Sequence, residues 1–327
     1  MTAFGAAHLP LVSITRAVPG TVSIPGATVK IAPALPQMSR AELLAFIRGS
    51  TVVGTMFHDR VDDAFLDAAG PQLKGVCNYA VGVDNIDLIA CRTRNILVAN
   101  TPDAVTEGTA NLAFGLILAV ARRIVEGDAF CRSGRFAVEG NTFPTGWCGR
   151  HLTGRTLLIV GAGRIGRAVA LRAQAFGMRT QYVARSRHLD FEQGPLAATR
   201  IDLDAGLREA DVVSVHTPLT PDTRHIINAA RLALLKRTAI IINTSRGPTI
   251  DEAALAECLA AKRIWGAGLD VFEHEPKIHP GLICLPNVVM TPHIGSAEQY
   301  WREEMTRLVC ENAAAILTGH TPPNQVH

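Results

Sequence analysis

An α/β chain of two doubly wound parallel-sheet domains is predicted by three observations. Short apolar runs alternate with helical patterns in two separate stretches, a glycine-rich turn opens the second stretch, and 327 residues exceed what one core usually serves. In the first hundred residues STVVGTM, KGVCNYA and ILVAN read as strands, with VDDAFLDAAG and DNIDLIACRTR as the helical patterns between them. Residues 106–131 read as one long apolar helix. The stretch RSGRFAVEGNTFPTGWCGRHLTG, punctuated by glycines and aromatics, reads as a connector. From Arg155 the rhythm restarts with TLLIV, TQYVA, DVVSVHTPL, TAIIINTS, WGAGLDVF and NVVMTPH, and an amphipathic pattern over 298–317 closes the chain.

Composition narrows the function classes. Hydrophobic residues make up 48% and charged residues 19%, with a mean hydropathy of +0.18, as expected for a well-packed globular enzyme. A net charge of +3 gives no reason to expect a nucleic-acid or membrane partner. The seven cysteines are scattered and never form C-x-x-C, so they read as buried thiols of a reducing compartment. No secretory signal is expected from MTAFGAAHLPLVSITRAVPG, and the apolar run LAFGLILAVA is about half the ~20 residues of a membrane span. A soluble, cytoplasmic protein is expected. No His or Cys cluster has metal-ligand spacing, and no metal is expected.

In IVGAGRIG, Gly161 permits a tight strand-to-helix turn, Gly163 lets backbone approach a pyrophosphate, and Gly166 lets helix and strand pack closely. Backbone amides at the helix start, around Arg164 and Ile165, would face the anion. The apolar run before and the helical pattern after are the context that makes this a dinucleotide loop of a Rossmann-like domain. Such loops are followed about 20 residues on by an acid for the adenosine ribose. Here no Asp or Glu occurs between Gly166 and Asp190, and Arg185, Ser186 and Arg187 follow the second apolar run. Two guanidinium groups and a hydroxyl suit a 2′-phosphate, so the expected cofactor is NADP(H); solvated loop arginines are the alternative.

Three further segments fall near expected carboxyl ends of strands, where open α/β sheets bind ligands. They are NTSRGPTIDE with Arg246, GLDVFEHEP with Asp270, Glu273 and Glu275, and TPHIGSA with His293. Arginine can hold a substrate carboxylate, histidine can give or take a hydroxyl proton, and a carboxylate can orient the histidine and favour its charged form. Among the other polar residues, Asp251 reads as a helix cap, His274 and His279 as solvated, and His216 as bordering the cofactor.

With AVGVDNIDL at 80–88 and the glycine loop, these segments resemble the D-2-hydroxyacid dehydrogenase family, over nearly the whole chain after about residue 50. The resemblance implies that Arg246 binds and polarises a 2-oxo acid, that His293 donates the proton in reduction, and that Glu275, which directly precedes proline, is its partner, with Glu273 the competing choice. It also implies that the backbone of Val81 and Gly82 holds the substrate carboxylate, that Asp270 lies by the nicotinamide, and that Thr244 and Gly295 border the cofactor. The substrate-binding, flavodoxin-like domain would comprise 1–104 and 294–327, the cofactor domain 105–293, with the active site in a cleft between them. The arginines after the second strand look most like those of NADPH-dependent glyoxylate and hydroxypyruvate reductases, so reduction of these two acids to D-2-hydroxy acids is the expected activity. A bulkier substrate such as phenylpyruvate is the alternative for a wider pocket; Tyr300 and Trp301 stand where the family has small or polar residues, and either reshape the pocket or only pack the final helix. A nucleotide-sensing role like that of the family's corepressors is another. A homodimer built on residues near 106–150 is expected.

Overall fold

The computed structural model describes residues 9–140 and 146–326, and its chain divides into two compact units. One runs up to Val105 and resumes from Ser296; the other is Thr106–Gly295.

The first unit contains a five-stranded sheet of β1 (Leu11–Ile14), β2 (Thr28–Ile31), β3 (Val52–Met56), β4 (Gly75–Tyr79) and β5 (Leu97–Ala99), all parallel, in the order β2-β1-β3-β4-β5. This is the flavodoxin-like order. Side-chain caps start its helices: Ser39 and Glu42 form a reciprocal capping box before Arg40–Phe46, Asp62 caps Asp63–Ala69, and Asp87 caps Leu88–Thr93. Phe65, Leu66, Ile47 and Val76 fill the core on one face. The final helix, Gln299–Leu317, packs along β3, β4 and β5. It lies so close that a Cβ on Gly75 would stand 2.5 Å from Ile316 Cδ1. Beyond it the chain returns to the sheet edge, where Val326 N donates to Val98 O at 2.7 Å.

The second unit contains seven parallel strands: β6 (Thr156–Val160), β7 (Arg179–Val183), β8 (Thr199–Arg200), β9 (Val212–Val215), β10 (Ile240–Asn243), β11 (Gly266–Leu269) and β12 (Val288–Met290). Their order, β12-β11-β10-β9-β6-β7-β8, reverses direction between β6 and β9. Along β6, Leu157 and Ile159 enter one core while Leu158 and Val160 enter the other, so the strand is apolar on both faces. One core packs helices Thr106–Ala121 and Arg164–Ala175, the other helices Leu203–Glu209 and Glu252–Ala260.

The single helix expected over 106–131 is two, Thr106–Ala121 and Ile124–Arg132, bent by 64°. Arg123 at the break is left-handed, with φ of 54°, and its Nε donates to Glu126 at 2.9 Å. Arg150 N takes the Ala121 carbonyl at 2.7 Å, so a connector residue caps the first helix where a further turn would have run. Residues 141–145 of that connector lie outside the described residues. No single helix among the described residues is long and apolar enough to cross a membrane. The expectation of buried thiols needs correction: Cys77, Cys91, Cys258 and Cys310 are buried, but Cys131, Cys148 and Cys284 are exposed, on a helix end, the connector and a short-helix cap.

Candidate active site

All candidate residues of the second unit follow the carboxyl ends of its strands. The three glycines after β6 have distinct reasons to be glycine. Gly161 has φ of 107°, and a Cβ there would stand 2.7 Å from the His216 carbonyl carbon. At Gly166 a Cβ would meet the Gly161 carbonyl at 2.5 Å and Ile159 at 2.8 Å. Gly163, N-cap of helix Arg164–Ala175, has nothing within 4 Å of that position. Its lack of a side chain serves no packing purpose, which suits close approach by a ligand. Arg164 is exposed there, and Ile165 packs partly into the core.

Arg185, Ser186 and Arg187 are exposed just beyond β7. Arg187 is engaged within the chain: its Nε donates to Glu192 at 3.0 Å, and Glu192 also accepts from the Tyr182 hydroxyl at 2.7 Å. Hydrogen bonds from Arg187 and Tyr182 hold the Glu192 carboxyl down to about 2. Arg200, at the end of β8, donates to the carbonyls of Ala184 and Arg185, both at 2.9 Å. Three arginines and one carboxylate thus line this strand end. Sequence reading missed Glu192 and Arg200, because the first lies beyond the usual position of the ribose acid and the second on a two-residue edge strand.

At the other end of the site, Asp270 follows β11 and is 1% exposed. Its carboxylate accepts from Thr291 Oγ1 (2.6 Å), Ile294 N (2.8 Å) and Gly295 N (2.8 Å). Burial pushes this carboxyl up, against the hydrogen bonds from Thr291, Ile294 and Gly295 and the charge of His293. Gly295 therefore anchors Asp270. His293 follows β12 with a left-handed backbone, φ 54°, its N–H shared between the carbonyls of Asp270 (2.9 Å) and Thr291 (3.0 Å).

His293 Nδ1 lies 2.8 Å from Glu275 Oε2, and Glu275 Oε1 accepts from Phe272 N at 2.9 Å. Burial acts to raise the Glu275 carboxyl, but the His293 hydrogen bond and charge, the Phe272 amide and the charge of Arg246 together hold it below its ordinary value. Glu273 faces elsewhere, accepting from Arg224 Nη2 and His225 Nε2, each at 2.8 Å. Arg246 is brought to the same loop by Gly247, where a Cβ would sit 1.9 Å from the Phe272 carbonyl carbon. The turn itself is fixed by Asn243 Nδ2 and Thr249 Oγ1, which donate to the Arg246 carbonyl at 3.0 and 2.7 Å.

Glu252 also shapes this loop and escaped sequence reading: it accepts from Glu273 N (2.6 Å) and His279 N (2.8 Å) while 7% exposed. An acid in a helix's first turn gives no sign that it serves another segment. Asp251 caps helix Glu252–Ala260, and His274 is exposed. His279, expected to be solvated, is half-buried, because its ring caps the short helix Pro280–Ile283. His216 lies beneath the glycine loop with Nε2 2.8 Å from Ser214 Oγ, and burial pushes its imidazole down to about 3. The hydroxyls of Thr217 and Thr244, at the ends of β9 and β10, are buried without a hydrogen-bond partner among the described residues. With the open position at Gly163, these hydroxyls fit a bound dinucleotide; Thr217 had no signal in the sequence.

In the first unit, Val81 and Gly82 are half-buried in the turn after β4. Tyr300 and Trp301 begin the final helix and pack on each other edge to face, with ring centroids 4.8 Å apart.

The sheet order, the glycine loop and the His–Glu pair define the class, and the chain belongs to the D-isomer specific 2-hydroxyacid dehydrogenases: the NAD binding domain of that family matches residues 114–295. Among curated relatives, the glyoxylate reductase of Thermococcus litoralis is 47% identical over 289 residues, covering 88% of this chain and 87% of the relative. Protein TT0316 of Thermus thermophilus superposes with a TM-score of 0.89 at 44% identity, covering 97% of this chain and 100% of its own. The NADPH-dependent glyoxylate/hydroxypyruvate reductase of Sinorhizobium meliloti, solved with NADP and malonate, superposes with a TM-score of 0.82 at 32% identity, covering 97% of this chain and 96% of its own.

Proposed function

We propose that the protein is an NADPH-dependent reductase of small 2-oxo acids, taking glyoxylate to glycolate and hydroxypyruvate to the D-2-hydroxy acid glycerate. The observation that carries this reading is the 2.8 Å contact between His293 and Glu275, with Arg246 held against the same loop. The chain's likeness to glyoxylate reductases supports the substrate class, and the S. meliloti complex supports NADP as cofactor.

Bound nicotinamide supplies the hydride that reduces the carbonyl carbon. Arg246 pairs with the substrate and draws charge onto its carbonyl oxygen, and the amides of Val81 and Gly82 take its carboxylate. Glu275 holds Nδ1 of His293 and so leaves Nε2 to deliver the proton to that oxygen as it gains charge. Asp270, Thr244 and Gly295 border the nicotinamide end, and Gly161, Gly163, Arg164, Ile165 and Gly166 the pyrophosphate. At the adenosine end Arg185, Ser186 and Arg187 receive the 2′-phosphate, for which Arg187 exchanges its exposed pairing with Glu192.

The working protein is a cytoplasmic homodimer in this reading. Ile124, Val125, Phe136 and Val138, each more than half exposed, leave apolar surface on the segment 106–150.

Steady-state kinetics with glyoxylate, hydroxypyruvate and acetone, each with NADPH and NADH, test the activity. A preference for NADPH of about one to two decades, shrinking as salt rises, is expected from charge-assisted phosphate contacts. Preference for NADH at low salt would remove the phosphate role from the arginines. Equal turnover of acetone and glyoxylate would remove the carboxylate role from Arg246.

A further inference from the structure

The turn after β4 carries the two amides assigned to the substrate carboxylate, and three consecutive carbonyls in it are each fixed by a different donor. Ala80 O accepts from Thr101 N at 3.0 Å, Val81 O from Asn100 Nδ2 at 2.8 Å, and Gly82 O from Asn78 Nδ2 at 2.8 Å. In a planar trans peptide the carbonyl and the following N–H point in opposite directions, so holding one aims the other. Thr101 therefore aims the Val81 amide, Asn100 the Gly82 amide and Asn78 the Val83 amide. Among the described residues, neither the Val81 nor the Gly82 amide has an acceptor of its own.

Both asparagines are themselves held. Asn78 is fully buried in β4; its Oδ1 accepts from Thr55 Oγ1 at 3.0 Å, and its Nδ2 also reaches Asn85 Oδ1 at 3.1 Å. Asn85 in turn donates to Met56 O and Asp59 O, tying the turn to the loop after β3. Asn100 is gripped by its backbone: its N–H donates to Asn324 O and its carbonyl accepts from the buried Asn312, both at 3.1 Å. Its side-chain amide is thereby left to serve Val81. Three consecutive peptides are thus held: Thr101 and Asn100 fix the two that carry the Val81 and Gly82 amides, and Asn78 fixes the next, so that Gly82 is held from both sides.

We infer that Asn100 and Asn78 are positioning residues that aim a backbone nest at the carboxylate of the substrate, and that they set the preference for substrates with a carboxylate beside the reacting carbonyl. This rests on the reading of Val81 and Gly82 given above. Without the side-chain donor the Val81–Gly82 peptide is free to rotate, and the Gly82 amide turns away from the anion. Since the carboxylate is gripped alike before and during hydride transfer, the loss falls on KM.

The test is steady-state kinetics of Asn100→Ala and Asn100→Asp with glyoxylate and with its primary amide. Asn100→Asp keeps the shape of the side chain and sets an acceptor against the Val81 carbonyl, so it reads the same contact should the smaller side chain fail to fold. Asn78→Ser probes the second anchor. For glyoxylate, KM is expected to rise about tenfold or more, with kcat changed less than about threefold. For the amide, kcat/KM is expected to stay within about threefold, and so is KM for NADPH. Equal losses on both substrates, or none on either, in a wild-type background that prefers glyoxylate would overturn the inference alone. A wild-type enzyme indifferent between glyoxylate and its amide would instead overturn the carboxylate reading, and the inference with it.

Discussion

His293 adopts a left-handed backbone that few residues other than glycine occupy, and two carbonyls share its N–H to keep it there. The conformation turns the ring onto Glu275, and the neighbouring Glu273 pairs instead with Arg224 and His225 through Oε1. Glu275→Gln is accordingly expected to lower kcat by about tenfold or more, and His293→Ala by the 10²–10⁴-fold typical of a lost general acid. Glu273→Gln should leave kcat within about twofold; a larger loss there than at Glu275 would reverse the assignment. His216 gives a stability prediction. The unfolded chain takes up this proton near the ordinary value of 6.5, whereas the folded chain resists it down to about 3. The unfolded state therefore binds more protons across that window, and stability falls as pH drops through it. His216→Gln should flatten the decline in urea midpoint between about pH 6.5 and 4. Arg246, Asp270, Glu275 and His293 were legible in the sequence because each sits in a short segment of distinctive composition. Glu252, Asn78 and Asn100 were not, since each acts on a segment at least four residues away, and most far further, with nothing local to mark it.

The strands most plainly marked in the sequence are those buried on both faces, such as β6 and β10, whose apolar runs are continuous. Sequence reading passed over β2, largely exposed, and β8, two residues long, because an edge strand needs few apolar residues, and also β1, an interior strand of only four residues whose run is interrupted by the buried Ser13. The break at Arg123 was hidden for another reason: neither glycine nor proline marks it, and the Ala121 carbonyl is satisfied by Arg150, a residue distant in the sequence. Within the strand-to-helix turn after β6, packing and ligand approach separate by position. Gly163→Ala meets no atom, so the melting temperature should hold within about 2 °C while affinity for NADPH falls. Gly166→Ala meets backbone and Ile159, and should cost about 1–3 kcal/mol of stability. Thermal melts and cofactor titrations on the two variants separate these outcomes. Comparable destabilisation by both would mean that Gly163 is kept for the fold.

The unit Thr106–Gly295 is one unbroken length of chain with its own sheet and two cores. Expressed alone it is expected to fold and to bind NADPH, detectable by a rise in melting temperature with added cofactor, but to reduce no 2-oxo acid. An unfolded product would show that its cores need the remainder of the chain. The other unit cannot be cut out so simply, since the helix covering β3, β4 and β5 is supplied by the last thirty or so residues. On the ribosome this unit is therefore begun before the other and completed after it. Its strands emerge with a bare apolar face, and roughly 190 residues of the other unit must be translated before the covering helix arrives, on the order of ten to forty seconds at ordinary synthesis rates. Through that interval the nascent sheet depends on chaperones or on staying unfolded, and a premature stop anywhere in the final helix damages a sheet whose strands were all made before the other unit was begun.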